Sequence, residues 1–408
     1  AAARRQTGAD PEEVVMTAAH GFDDIQIETL RAIGGVKWSE YPDAIGAFIA
    51  EMDFGTAPQI VHALRDAVDV GSFGYLPRAL SERMSEACAH WYRTRYGWDV
   101  PPTHIRPVAD VLAGLLAVVQ HFSTPGSPLI VPTPAYMPFL SVPPAYGREV
   151  IQVPMTPRPQ GGLGYDLDAL DAAFRAGGNL LILCNPHNPI GRVLTRAEMI
   201  AVAEVVERHG GRVFADEIHA PLVYPGHRHL PYASISPVTA RHTITATSAS
   251  KAWNLPGLKC AQLIFSNEAD VARWSKIGAV SEHGAANLGV IANTVAYTEG
   301  GPWLADVLDY LDGTRALLAE LVAEQLPGVR FTQPEGTYLG WLDCRELGLD
   351  RPGDFFLEQA GVALTDGAQC GTAGRGFVRL NFATPRPILK QTIRRMAAAI
   401  AASPSRRS

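Results

Sequence analysis

A chain of 408 residues, at about 150 per domain, provides for two or three domains and a large buried core. Its residues are 47% hydrophobic and 19% charged, well away from the charge-rich, apolar-poor composition of disordered chains. The formal charge is −6 and no basic run exceeds a doublet, which argues against nucleic acid or an anionic membrane as a partner.

The opening AAARRQTGADPEEVV lacks an apolar signal core and an initiator Met, which fits a native end after Met removal or the cut edge of a longer polypeptide. The first twenty residues have no stable apolar period and read as a loose arm or first helix. Val111 to Phe122 reads as a helix behind a plausible N-cap, Asp110. The segment SPLIVPTP, Gly147 to Val153 and Asn179 to Cys184 read as strands. Thr195 and Glu198 form a capping box for a helix running to about Arg208, which Gly210-Gly211 stops. RVFADEI, TITATS and CAQLIF are further short strands, apolar on both faces, so the alternation predicts a mostly parallel sheet covered by helices on two sides. The longest apolar stretch, Val111 to Val119, is about half of what a bilayer span needs and contains Gly114.

A second pattern follows Gly300. Trp303 to Gln325 has helical period, and Val329 to Thr332, Tyr338 to Asp343, Val362 to Thr365 and Phe377 to Phe382 read as strands, with helices near Phe355 and Leu389. The expected division is an N-terminal arm with part of the small domain (1–50), a large α/β domain (51–300) and a smaller C-terminal α+β domain (301–408). Cys88, Cys184, Cys260, Cys344 and Cys370 show no metal-ligand spacing, and reduced, buried thiols of a cytoplasmic protein are expected.

Ligands of such sheets bind where strands end, so the polar clusters there are the candidates. Four stand out: TPAYMPF, CNPHNPIGR, ADEIHAP and SASKAWNLPG. A lysine at a buried strand end, such as Lys251, loses hydration; its pKa falls and its neutral amine becomes a nucleophile toward an aldehyde. Asp216 closes the apolar run VFAD, where an unpaired carboxylate is expensive and needs a cationic partner or a capping role.

N-P-x-N-P-x-G, D-E-x-H and S-x-S-K-x-x-x-x-x-G, in this order, resemble fold-type I pyridoxal-phosphate enzymes of the class I/II aminotransferase superfamily, from about Phe22 to Ala402. VKWSEY, AEMDFGTAP, FGYLP, ADEIHAPLVYPGHRHLP and EGTYLGWLD resemble the MalY/PatB-type carbon–sulfur lyases, the cystathionine β-lyases. The resemblance implies that Lys251 carries pyridoxal 5′-phosphate and then serves as general base, and that Asp216 holds the pyridinium proton. It places Asn188 and His219 near the cofactor phenol, His219 standing where many relatives have Tyr, and Tyr136 on the ring face. Ser248, Ser250, Lys259 and the amides of Val111 and Leu112 are implied as the phosphate cradle. Lys259 stands where many relatives have Arg and offers a point charge without a fork. Tyr75 would reach the phosphate of a neighbouring subunit, making a homodimer with shared active sites. Arg379 would clamp the α-carboxylate of an amino-acid substrate, with Tyr338, Glu282 and His283 on the substrate side.

Two outcomes follow loss of the substrate Cα proton. Departure of a sulfur leaving group from Cβ ends in pyruvate and ammonia, a β-lyase reaction on an L-cysteine conjugate such as cystathionine. Amino-group transfer to the cofactor would make an aminotransferase instead. The motifs serve both, and the sub-family resemblance tilts toward the lyase. A regulatory protein retaining the fold is the third alternative.

Overall fold

A computed structural model describes residues 19–159 and 161–403 of the chain. The arm or helix expected over the first twenty residues lies almost wholly outside them. In chain order the strands are β1 (Ile45–Gly46), β2 (Ile105–Val108), β3 (Leu129–Thr133), β4 (Val150–Pro154), β5 (Thr156–Pro157), β6 (Leu163–Gly164), β7 (Leu180–Cys184) and β8 (Arg212–Asp216). They continue as β9 (Thr243–Thr247), β10 (Ala261–Phe265), β11 (Arg330–Phe331), β12 (Leu339–Asp343), β13 (Val362–Ala363), β14 (Thr365–Asp366) and β15 (Phe377–Asn381).

Seven strands form one sheet in the order β2-β10-β9-β8-β7-β3-β4. Every pair from β9 to β4 is parallel, whereas β10 runs antiparallel to both its neighbours. The chain returns from β9 to β10 through the Lys251 loop instead of a crossover helix, and such a direct return fits an antiparallel neighbour. Alternate residues of β7 feed two different cores: Leu180, Ile182 and Cys184 join the one containing the helix Val111–Phe122, and Leu181 and Leu183 the other, with the helices Leu167–Arg175 and Arg196–Arg208. Burial on both faces explains why these strands read as continuous apolar runs. The capping box of Thr195 and Glu198 is formed, and Asp110 caps its helix by accepting the Ala113 N–H at 2.8 Å.

Downstream, β11-β12-β15-β14 make an antiparallel sheet flanked by the helices Pro352–Ala360 and Arg386–Ala402. The 25-residue helix Gly301–Gln325 leads into it. Two details depart from the sequence expectation. Val362 to Thr365 is not one strand: β13 pairs with β1 and β14 with β15, the break falling at Leu364. Strand β2 was not among the expected strands; it contains Pro107, and as the sheet edge it tolerates the missing N–H.

Pairing of β1 with β13 brings residues 45–46 beside the C-terminal region. The following segment is pinned from below. Lys37 and Asp53, both buried, form an ion pair at 2.8 Å, and Trp38 Nε1 donates to the second Asp53 oxygen at 2.8 Å. VKWSEY and AEMDF, two separate sequence signatures, are therefore two halves of one buried contact. Replacing Lys37 by Met strands a buried carboxylate, and the expected loss is about 3–5 kcal/mol of unfolding free energy in denaturant titration. The double variant Lys37→Met/Asp53→Leu should recover a large part of it.

Candidate active site

At the carboxyl ends of β8 and β9 lies a cavity of about 210 Å³. Its walls include Ala109, Asp110, Val111, Leu112, Tyr136, Asn188, Asp216, Ile218, His219, Ser248, Ser250, Lys251 and Lys259. Ten of the fifteen residues selected from sequence thus share one cavity wall, and Arg379 and Tyr338 stand behind it, joined through the chain segment described below.

Lys251 Nζ donates to the Ala50 carbonyl at 2.9 Å. Burial, seconded by the nearby Arg379 guanidinium, lowers the Lys251 pKa to about 8, against the pull of Glu51 and Asp216. A sizeable neutral fraction therefore exists near neutral pH, as a nucleophilic amine requires. Asp216 shares the face of β8 that carries Phe214, opposite Cys184 in register. Its carboxylate accepts the Ile218 N–H at 3.1 Å and a long contact from the Cys184 thiol at 3.8 Å. Burial raises its pKa to about 6.

His219 is 2% exposed, and burial lowers its pKa to about 3, so it is a neutral imidazole. Its Nδ1 has no partner among the described residues, and its ring meets Tyr338 edge-on at 6.1 Å. Tyr136 packs edge-on against Phe139 at 5.3 Å while lining the cavity. Tyr338 donates its hydroxyl to the same Ala50 carbonyl at 2.9 Å.

Arg379 is 2% exposed although Val378 and Leu380 are buried as well, so both faces of β15 are covered. One guanidinium nitrogen donates to Asn188 Oδ1 at 3.0 Å, the other to the Phe48 carbonyl at 2.6 Å and Thr365 Oγ1 at 3.2 Å. Its Nε is buried without a partner among the described residues. Asn188 thus links the lysine cavity to Arg379.

The implied phosphate cradle is only partly free. Ser248 is committed: its hydroxyl donates to the Cys260 carbonyl at 2.7 Å and accepts the Ser250 amide at 3.0 Å. The Ser250 hydroxyl has no hydrogen bond among the described residues. Lys259 is paired with Asp110 at 2.9 Å. Despite burial, the amides of Ala113 and Leu112 and the Lys259 ammonium hold the Asp110 carboxyl below the usual range. Of the groups expected to hold a phosphate, the Ser250 hydroxyl and the Val111 amide are thus uncommitted among the described residues, whereas Lys259 and the Leu112 amide already serve Asp110.

Three selected residues sit elsewhere. Tyr75 is 92% exposed and lines a separate groove with Glu282 and His283. The Glu282 carboxylate is held by Arg106 at 2.7 Å and Trp274 Nε1 at 2.7 Å, so within this chain it braces a helix and does not face Lys251. The sequence reading missed the backbone from Phe48 to Glu51, whose carbonyls receive Arg379, Lys251, Tyr338, Lys37 and Asn381. It also missed Thr365. Backbone acceptors leave no residue-type signal, and only the AEMDF signature pointed to this stretch.

Buried basic and acidic groups, unpartnered polar atoms and a helix start fit an anionic aldehyde cofactor with a basic ring nitrogen. Residues 46–399 match the aminotransferase class I and II family, and the chain belongs to it. It is 38% identical to the cystathionine beta-lyase of Corynebacterium glutamicum over 380 residues, 92% of this chain and 99% of that protein. Identity to the cystathionine beta-lyase PatB of Bacillus subtilis is 32%, over 90% of this chain and 96% of PatB. The crystal structure of a PLP-bound C-S lyase from Staphylococcus hominis superposes with a TM-score of 0.86 at 28% identity, covering 94% of this chain and 99% of that one.

The lowered Lys251 pKa has a thermodynamic consequence. Between about pH 8 and the free-lysine range, the unfolded chain binds more protons at this site than the folded one, so stability contributed by Lys251 rises with pH across that window. Buried thiols and phenols with raised pKa values act in the opposite direction, so the effect is read as a difference: in denaturant titration of cofactor-free protein, the stability of wild type relative to Lys251→Met should increase with pH across this window.

Proposed function

We propose that this chain is a pyridoxal-phosphate-dependent carbon–sulfur β-lyase that cleaves an L-cysteine conjugate of the cystathionine type to a thiol or persulfide, pyruvate and ammonia. The observation that carries the proposal is a buried lysine with a pKa lowered to about 8 that lines one cavity with a buried carboxylate, Asp216. Similarity along most of the chain to two cystathionine beta-lyases directs the choice among reactions.

When bound, pyridoxal phosphate supplies an electron sink for the charge left by loss of the substrate Cα proton. Lys251 would hold the cofactor aldehyde and, once displaced by the substrate amine, take that proton. Asp216 would hold the proton on the ring nitrogen. Asn188 and His219 would bind the phenolic oxygen, the neutral imidazole giving a hydrogen bond without a competing charge. Tyr136 would pack on the ring, and Ser250, Ser248, Lys259 and the Val111 and Leu112 amides would hold the phosphate. Arg379 would exchange contacts with Phe48 and Thr365 for the substrate α-carboxylate, its fork fixing the Cα–H direction, with Tyr338 at its side.

A homodimer with shared sites belongs to the same proposal. The near-complete exposure of Tyr75, close in sequence to exposed Phe73 and Val70, suits a surface that a second copy covers, Tyr75 reaching the neighbouring phosphate. All five cysteines are free and buried, which suits the cytoplasm.

Cofactor-loaded protein incubated with L-cystathionine and no oxo acid should release pyruvate and thiol in equal amounts over many turnovers. Stoichiometric conversion to pyridoxamine phosphate without thiol would replace the lyase by an aminotransferase. Lys251→Ala should reduce turnover by about 10²–10⁴-fold, and Arg379→Lys should raise KM about tenfold or more through loss of the fork. Tyr75→Ala should weaken cofactor retention, measured by dialysis against cofactor-free buffer, while leaving the dimer in place.

A further inference from the structure

Within the motif CNPHNPIGR, Asn188 lines the lysine cavity, and its neighbour His187 is buried as well, 2% exposed. The main chain of His187 is fixed on both sides: its N–H donates to the Arg192 carbonyl at 2.8 Å, and its carbonyl accepts the Gly191 N–H at 2.7 Å. From this anchored position the imidazole Nε2 meets the buried Pro134 carbonyl at 2.8 Å. A carbonyl only accepts, so Nε2 carries the proton, and burial, which lowers the His187 pKa to about 4, keeps the ring neutral. The Tyr165 ring closes on the imidazole edge-on at 6.1 Å.

Pro134 stands two residues before Tyr136, in the turn that follows β3. The turn is held from outside by His187 on the Pro134 carbonyl and by the Cys370 carbonyl, which accepts the Ala135 N–H at 2.8 Å. The Tyr136 ring packs on Phe139 of the same segment, so its place relative to the rest of the cavity is passed on through this main chain. On the other side of His187 the chain continues directly into Asn188, which accepts from Arg379 at 3.0 Å. One imidazole therefore ties the turn that carries Tyr136 to the segment that carries Asn188.

We propose that His187 is a positioning residue for the cofactor cavity: its Nε2–H hold on Pro134 sets the spacing between Tyr136 and Asn188, and so the width of the slot offered to a flat ring. The proposal rests on the reading of that ring as pyridoxal phosphate. Without the donor, a buried carbonyl is left unpaired and the turn relaxes to recover a partner. A site whose supporting contacts are loosened in this way holds its ligand less well even with every direct contact residue in place.

The test follows cofactor release from the loaded full chain, read as loss of its visible absorbance after dilution into cofactor-free buffer, together with the circular dichroism of that band. His187→Leu, which fills the space without a donor, and His187→Asn, whose amide is too short to reach Pro134, should each speed release about tenfold and diminish the dichroism, while His187→Gln, which keeps a donor near Nε2, should stay near wild type. In a Tyr136→Ala background His187→Leu should add less than about twofold, whereas in a Ser250→Ala background its full effect should persist. A purely structural histidine would act equally in both backgrounds, and that result, or release at the wild-type rate from His187→Leu and His187→Asn, would overturn the positioning role. Wild type that gains no visible band with pyridoxal phosphate would overturn the cofactor reading, and this proposal with it.

Discussion

The site depends on a lysine that the fold forces out of water. Lys251 stands after β9, where the direct return to antiparallel β10 leaves a loop at the carboxyl end of a sheet buried on both faces. Desolvation penalises the ammonium, and the buried Arg379 adds a repulsive charge, so the pKa falls to about 8. The same burial acts in the opposite direction on Asp216, where it penalises the carboxylate and raises the pKa to about 6. One low-dielectric cavity thus prepares a nucleophilic amine and a carboxyl poised to share a proton with a basic nitrogen.

A strip of main chain organises the remainder. The carbonyls of Phe48, Ala50 and Glu51 receive Arg379, Lys251, Tyr338, Lys37 and Asn381, so groups from both main sheets converge on four residues. The strip is held by the Lys37–Asp53 pair below and by Thr365, whose hydroxyl donates to the Phe48 carbonyl at 2.7 Å. A buried network of this kind is favourable only when its members are satisfied, which makes the strip a single structural unit. Asn188, accepting from Arg379 while lining the lysine cavity, ties Arg379 and that cavity into one unit.

Much of this was legible beforehand. Helix Val111–Phe122 with its Asp110 cap, the Thr195 capping box and the runs that became β3, β7, β8, β9 and β10 carried local signals strong enough to survive folding unchanged. Strand β2 carried no such signal: it is four residues long and contains Pro107, which only its place at the sheet edge accommodates. Val362 to Thr365 read as one strand because its residues all suit a strand; its division between two sheets depends on β1 and β15, which lie far away in sequence. Ser248 was recognised as a site residue, yet its hydroxyl is spent on the turn, since a hydroxyl's rotor and partners are set by neighbours in space.

By itself the sequence determined the chemistry available and the class of fold: a lysine and a carboxylate at ends of buried strands, an arginine in an apolar strand, and an alternation that only a helix-covered, mostly parallel sheet can bury. These follow from side-chain chemistry and from the periods of helix and strand, which are properties of neighbouring residues. The tertiary structure alone decided which groups meet. It gave Lys251 and Tyr338 a common carbonyl, paired Lys259 with Asp110, and set Tyr75, Glu282 and His283 in a groove apart from Lys251. Distances between residues hundreds of positions apart, and the burial that sets their pKa values, arise from the packing of whole elements, which no local pattern encodes.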